Sequence, residues 1–316
     1  MTVNLAVVGL GAFGQKHLDA LARIPDATIR YVGHSRQDIA DDVATTFGAA
    51  RGFSDYTELL AQDDLDGVLL ATPTQMHHAQ TIEALRAGKH VMVEIPMADS
   101  LAAVTEIVDA QRDTGLIAMA GHTRRFNPSH QYVRNRITAR EFSIHQMDVQ
   151  TYFFRRTNTN ALGRARSWTD HLLWHHAAHT VDLFQYQTGE DVVAANAIQG
   201  PRHPELGIAM DMSIQLKTAT GKICTLSLSF NNEGPFGSFF RYIGDSATYI
   251  ARYDDLFDGK DEAIDVSQVA VSMDGIELQD REFVAAIAEG REPNASVAQV
   301  LPCYVVLDRL QRQLDY

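Results

Sequence analysis

Leu172–Phe184 reads LLWHHAAHTVDLF, with histidines at 175, 176 and 179 in an otherwise apolar stretch. Imidazole titrates near neutral pH, so such a cluster can move protons, ligate a metal or sit hydrogen-bonded in a core. A metal site would pair His175 and His179 with a third ligand such as His171. The zinc-hydrolase pattern, however, wants a glutamate directly after its first histidine, and His176 stands there. No metal is expected. On a regular α-helix His175, His179 and Asp182 share a face, with His176 about 100° away around the axis. Acid–base work is the favoured reading, with His179 or His175 as the base and His176 behind them.

The second set is Gly9-Leu10-Gly11-Ala12-Phe13-Gly14, a GxGxxG directly after an apolar β-rich run and opening a helical one. In that context it reads as a dinucleotide loop, with Gly9, Gly11, Ala12, Phe13 and Gly14 around the pyrophosphate. NAD enzymes usually carry an acid at the end of the next strand, about 20 residues on. Here that strand ends Val32-Gly33-His34-Ser35-Arg36, with no carboxylate. Serine and arginine can hold a 2′-phosphate, so His34, Ser35 and Arg36 favour NADP over NAD. The competing reading leaves Arg36 in solvent and gives Asp38 the acid's part. Neither Cys224, mid-strand, nor Cys303, in the last helix, has a base near it in sequence, so a thiol nucleophile is not expected.

These residues need elements to hold them. Up to about Gly121, apolar strands at Val3–Val8, Thr28–Val32, Asp66–Ala71, His90–Val93 and Leu116–Ala120 alternate with helices at Gly14–Ile24, Asp38–Phe47, Gln75–Ala87 and Leu101–Thr114. That is a parallel sheet covered on both faces. Beyond it come a strand at Ser143–Phe154, a long helix at about Thr169–Thr188, and strands at Asp211–Lys217, Lys222–Phe230, Ser238–Ile243 and Ala247–Tyr253. These last lack intervening helices and predict an antiparallel sheet. Helices at Gln279–Glu289 and Val297–Leu314 close the chain. The expected fold class is α/β: a Rossmann-type domain over 1–121, then an α+β domain over 122–316 with an open, largely antiparallel sheet, the C-terminal helix packing back on the first domain.

With 316 residues the chain exceeds one ordinary core. A formal charge of −13 argues against a nucleic-acid or anionic-membrane binder. Two cysteines, no apolar run of membrane-spanning length and no basic leader predict a cytoplasmic protein.

Further motifs fall in order along the chain: Ala71-Thr72-Pro73-Thr74-Gln75-Met76-His77, Glu94-Ile95-Pro96, Thr123-Arg124-Arg125-Phe126, and His175…His179-Thr180-Val181-Asp182. Together with the glycine loop they resemble the Gfo/Idh/MocA oxidoreductase family across the whole chain. The resemblance implies that Thr72, Pro73, Thr74, His77, Glu94 and Ile95 line the cofactor. It also implies a second-domain sheet with the substrate on one face and, commonly, a dimer interface on the other. The chain departs from the family at Ile95, where most members carry the lysine that reaches the reacting hydroxyl. It departs again at His175, where most have aspartate or asparagine, while His179 matches the family's histidine.

Segments such as GHTRRFNPSHQY, QMDVQTYFFRR and SWTDHLLWHHAAHTVDLF resemble, within that family, members acting on a dicarboxylic semialdehyde. This implies a small dicarboxylate aldehyde, oxidised as its cyclic hemiacetal, a step that needs one general base and no nucleophile. Its carboxylates would be held by Arg124, Arg125, Arg164 and Arg166. A sugar or cyclitol dehydrogenase of the same family, or a dinucleotide sensor that has lost catalysis, are the alternatives.

Overall fold

The computed structural model describes residues 2–159, 163, 165 and 169–314. The chain divides into two units, one of residues 1–122 with 276–301 and one of 123–275 with 302–316.

In unit 1, β1 (Val3–Val8), β2 (Ala27–Gly33), β3 (Arg51–Phe53), β4 (Gly67–Leu70), β5 (His90–Val93) and β6 (Ala118–Ala120) form a sheet in the order β3-β2-β1-β4-β5-β6. Every strand pairing in it is parallel. The strands are apolar on both sides, and GVLL of β4 is wholly buried, because helices must cover both faces of a parallel sheet. Those helices include α1 (Ala12–Leu21), α2 (Gln37–Phe47), the short α3 (Tyr56–Leu60), α4 (Thr74–Arg86) and α5 (Leu101–Thr114). Chain order reverses at β1, so its carboxyl end and that of β4 bound the crevice in which open α/β sheets take their ligands.

Unit 2 opens with a 3₁₀ turn at Thr123–Arg125 and α6 (Pro128–Thr138), neither foreseen from sequence. Its sheet comprises β7 (Ile144–Tyr152), β8 (Val192–Gln199), β9 (Asp211–Thr218), β10 (Ile223–Ser229), β11 (Gly237–Gly244), β12 (Thr248–Arg252), β13 (Asp255–Asp258) and β14 (Ala263–Ile264). The order is β14-β13-β12-β11-β7-β10-β9-β8. It is antiparallel apart from the parallel pair β7 and β10, which are central neighbours though far apart in the chain. β9 alternates strictly between exposed and buried residues, the pattern of a sheet covered on one face.

The histidine segment is not one α-helix. Leu172–Ala177 is a π-helical turn, and α7 (Ala178–Thr188) follows it to a left-handed cap at Gly189. A π turn closes i→i+5 hydrogen bonds, so His175 and His176 sit in a wider turn than His179, which lies in the first turn of α7. α8 (Gly275–Glu289) belongs to unit 1 from Ile276 on, and α9 (Val297–Leu314) passes from one unit to the other at Pro302. Among the described residues no helix is long and apolar enough to cross a membrane.

Candidate active site

The glycine loop is shaped by what it excludes. Gly9 has φ +95°, and a Cβ there would meet the Ala71 carbonyl carbon and oxygen at 2.5 Å. A Cβ on Gly14 would lie 1.9 Å from the Gly9 carbonyl oxygen. A Cβ on Gly11 would meet nothing within 4 Å. Two glycines thus close the turn against β4 and against itself, and the middle one leaves open space. Gly11 caps α1 without a side-chain hydrogen bond, and the first turn holds no acid. The helix therefore presents free N–H groups and the positive end of its dipole beside that space, which suits a pyrophosphate.

At the end of β2, the Arg36 backbone N–H donates to His34 Nδ1 at 3.1 Å, which leaves the His34 proton on Nε2. The Arg36 guanidinium forks onto the Asp38 carboxylate, with Nε to Oδ1 at 3.1 Å, and both side chains are exposed. Both residues weighed for the cofactor's ribose are thus bound to each other.

Thr72 and Pro73 follow β4 and Glu94-Ile95-Pro96 follows β5. His77 lies between them, with Nδ1 2.8 Å from the Pro96 carbonyl and Nε2 2.7 Å from the Thr72 carbonyl. It is 2% exposed, and burial pushes its pKa down against the pull of both carbonyls. His77 thus ties the loop after β4 to the loop after β5, the two loops expected to line the cofactor. Thr74 is buried as well, while Ile95 is half-buried.

Glu94 belongs to a cluster that sequence reasoning missed. Its Oε1 lies 3.0 Å from His17 Nε2, and His17 Nδ1 faces both Asp280 oxygens at 2.9 and 3.0 Å. His17 falls three residues after Gly14 on the buried side of α1, which is a local signal. Asp280 has none, being 263 positions away.

In unit 2, His171 has an extended backbone and caps the π turn. Its N–H donates to His175 Nδ1 at 3.3 Å, and the two rings meet edge to face, centroids 5.1 Å apart. That bond occupies the Nδ1 lone pair of His175. His176 Nε2 lies 3.2 Å from Asp170 Oδ2, and its ring lies between Phe153 and Phe230. The Arg155 guanidinium forks onto the same carboxylate. Burial alone would raise the Asp170 pKa, but His176 and Arg155 hold it far below the usual carboxylate range. An ionised Asp170 fixes the His176 tautomer with its proton on Nε2. His179 is half-buried in the first turn of α7.

The two adjacent arginines have different fates. Arg125 Nε and Nη2 donate to Asp182 at 2.8 and 2.6 Å, both partners buried. The pair engages the Arg125 guanidinium with a buried carboxylate. Arg124 lies over the Tyr253 ring at 4.7 Å and donates to Asn127 Oδ1 at 3.2 Å. Among the described residues it forms no ion pair, and burial lowers its pKa. It is a desolvated cation suited to a carboxylate. Arg164 and Arg166 lie outside the described residues. Among the described residues no three His, Cys, Asp or Glu side chains converge as metal ligands would.

Residues 3–122 match the model of the "Oxidoreductase family, NAD-binding Rossmann fold", and residues 128–270 that of "Bacterial oxidoreductases, C-terminal". The chain is 63% identical over 313 residues, 99% of both chains, to a 4-carboxy-2-hydroxymuconate-6-semialdehyde dehydrogenase of Sphingobium sp. strain NBRC 103272 / SYK-6. It is 34% identical over 140 residues to a scyllo-inositol 2-dehydrogenase (NAD(+)) of Bacillus subtilis strain 168, covering 44% of this chain and 41% of that one. Among solved structures it shares the fold of levoglucosan dehydrogenase in complex with NADH and levoglucosan, at TM-score 0.86 and 20% identity over 100% of this chain and 98% of that one. A crevice built for a dinucleotide, two domain models in tandem and a 63% match along nearly the whole length lead to one assignment: the chain belongs to the Gfo/Idh/MocA oxidoreductase family.

Proposed function

We propose that this protein oxidises 4-carboxy-2-hydroxymuconate-6-semialdehyde, as its cyclic hemiacetal, to 2-pyrone-4,6-dicarboxylate, with NADP⁺ preferred over NAD⁺. The observation that carries this is the 63% identity, over 99% of both chains, with a dehydrogenase of that name. Closure of the substrate's enol hydroxyl onto its aldehyde makes a secondary alcohol, which loses a hydroxyl proton and a carbon-bound hydride to become the lactone. NADP⁺, when bound, supplies the hydride acceptor.

No nucleophile is needed, which agrees with two buried cysteines whose thiol pKa values burial pushes up. The chain's own task is to take the proton and hold two carboxylates. His179 is the proposed base: it matches the family's histidine, whereas His175 has Nδ1 occupied by a backbone N–H. His176, oriented by Asp170, is the second candidate. Arg124 holds one carboxylate, and Arg164 or Arg166 the other. Ser35 and Arg36 favour the 2′-phosphate once Arg36 exchanges Asp38 for it. In this reading the protein works as a cytoplasmic homodimer.

The test is absorbance of NADPH at saturating enzymically generated semialdehyde, with NADP⁺ and NAD⁺ in parallel and inositols as competing substrates. Turnover of the semialdehyde with the higher kcat/KM for NADP⁺ is expected. Faster turnover of an inositol, or none of the semialdehyde, would sink the proposal.

A further inference from the structure

We propose that His17 is a positioning residue for cofactor binding, fixing the Glu94 carboxylate at the carboxyl end of β5 while Asp280 anchors it from behind. The inference rests on the reading of Glu94 as a cofactor contact. His17 is fully buried, and each of its ring nitrogens faces a carboxylate. Carboxylates only accept, so both nitrogens must carry protons and the ring is an imidazolium. Burial alone would drive that proton off, but Asp280 and then Glu94 push the His17 pKa up to about 10.

Burying such a triad is expensive, and apolar residues of like volume would serve packing as well. Of the three, Glu94 alone has exposure, 13% of its side chain, against none for His17 and Asp280. Glu94 is thus the member through which the triad can act on a ligand. Among the described residues its contacts gather on Oε1: His17 at 3.0 Å and the Gln279 amide at 3.4 Å. Gly121 makes room for the same oxygen, since a Cβ there would lie 2.6 Å from it. The other titratable groups by the triad are His77, whose own proton burial drives off, and Glu277, three residues before Asp280 on α8 and held by Arg23 and Arg281.

The experiment is titration of each variant with NADPH by fluorescence from pH 7 to 9, with thermal melting as the check on folding. Wild-type affinity is expected to stay flat, because His17 keeps its proton throughout. Asp280→Asn keeps the volume and removes the main charge that holds the His17 proton, so NADPH affinity falls about ten-fold below wild type at the alkaline end of the range. His17→Gln has no charge to lose and binds about ten-fold more weakly at every pH. A folded His17→Gln with wild-type affinity, or a folded Asp280→Asn with wild-type affinity at every pH, overturns the inference. Glu94→Gln separates the two readings. If it alone weakens NADPH, Glu94 is a contact that His17 does not position. If it leaves NADPH unchanged, the reading of Glu94 itself fails.

Discussion

In the glycine loop of unit 1 the backbone does the work and side chains are excluded, with Cβ atoms barred at Gly9 and Gly14 and open space at Gly11. In the histidine turn of unit 2 the side chains do the work, and charge holds them: Asp170 between His176 and Arg155, Asp182 on Arg125. The first design is steric, tolerates almost no substitution and is indifferent to pH. The second is electrostatic and can be altered one group at a time.

The contrast is broken most severely at Gly14. Gly14→Ala places a carbon on the Gly9 carbonyl, and both NADPH binding and the melting transition of unit 1 should be lost; a folded, binding variant would show that the loop can yield. Next comes Asp182→Ala, which removes the carboxylate paired with the buried Arg125 and should cost about 3–5 kcal/mol in denaturant melts. His179→Ala should lower kcat by about 10²-fold while leaving NADPH affinity intact; normal kcat would move the base to His176, and Asp170→Asn would then carry the loss. Gly11→Ala sharpens the comparison from the other side, with unchanged melting and about ten-fold weaker NADPH. The smallest effect belongs to Asp38→Asn, which frees the exposed Arg36 and should raise the NADP⁺ over NAD⁺ preference by about two- to three-fold in kcat/KM.

What could be read from the sequence follows the same division. The loop was legible because the constraint is local: a strand, a tight turn and a helix start need glycines at fixed spacing. Apolar runs such as VNLAVV announced their strands for the same reason. The histidines were visible as residues, but the π turn that aims them was not, since no residue type enforces it. Arg124 and Arg125 are indistinguishable in the chain, and only tertiary context commits one to Asp182 and leaves the other over Tyr253. The His17–Asp280 contact spans 263 positions and depends on the chain returning to unit 1 at residue 276, which periodicity cannot foretell. β8 and α6 were missed where alternation was weak or polar.

The two cysteines carry a practical consequence. Cys224 and Cys303 are both buried, with thiol pKa values driven up by desolvation, so neither offers a thiolate at the surface. An enzyme whose proposed substrate is itself an electrophilic aldehyde thereby presents no reactive thiol for that substrate to capture. Preincubation with iodoacetamide should leave its turnover intact, which sets it apart from aldehyde dehydrogenases that depend on a reactive thiol.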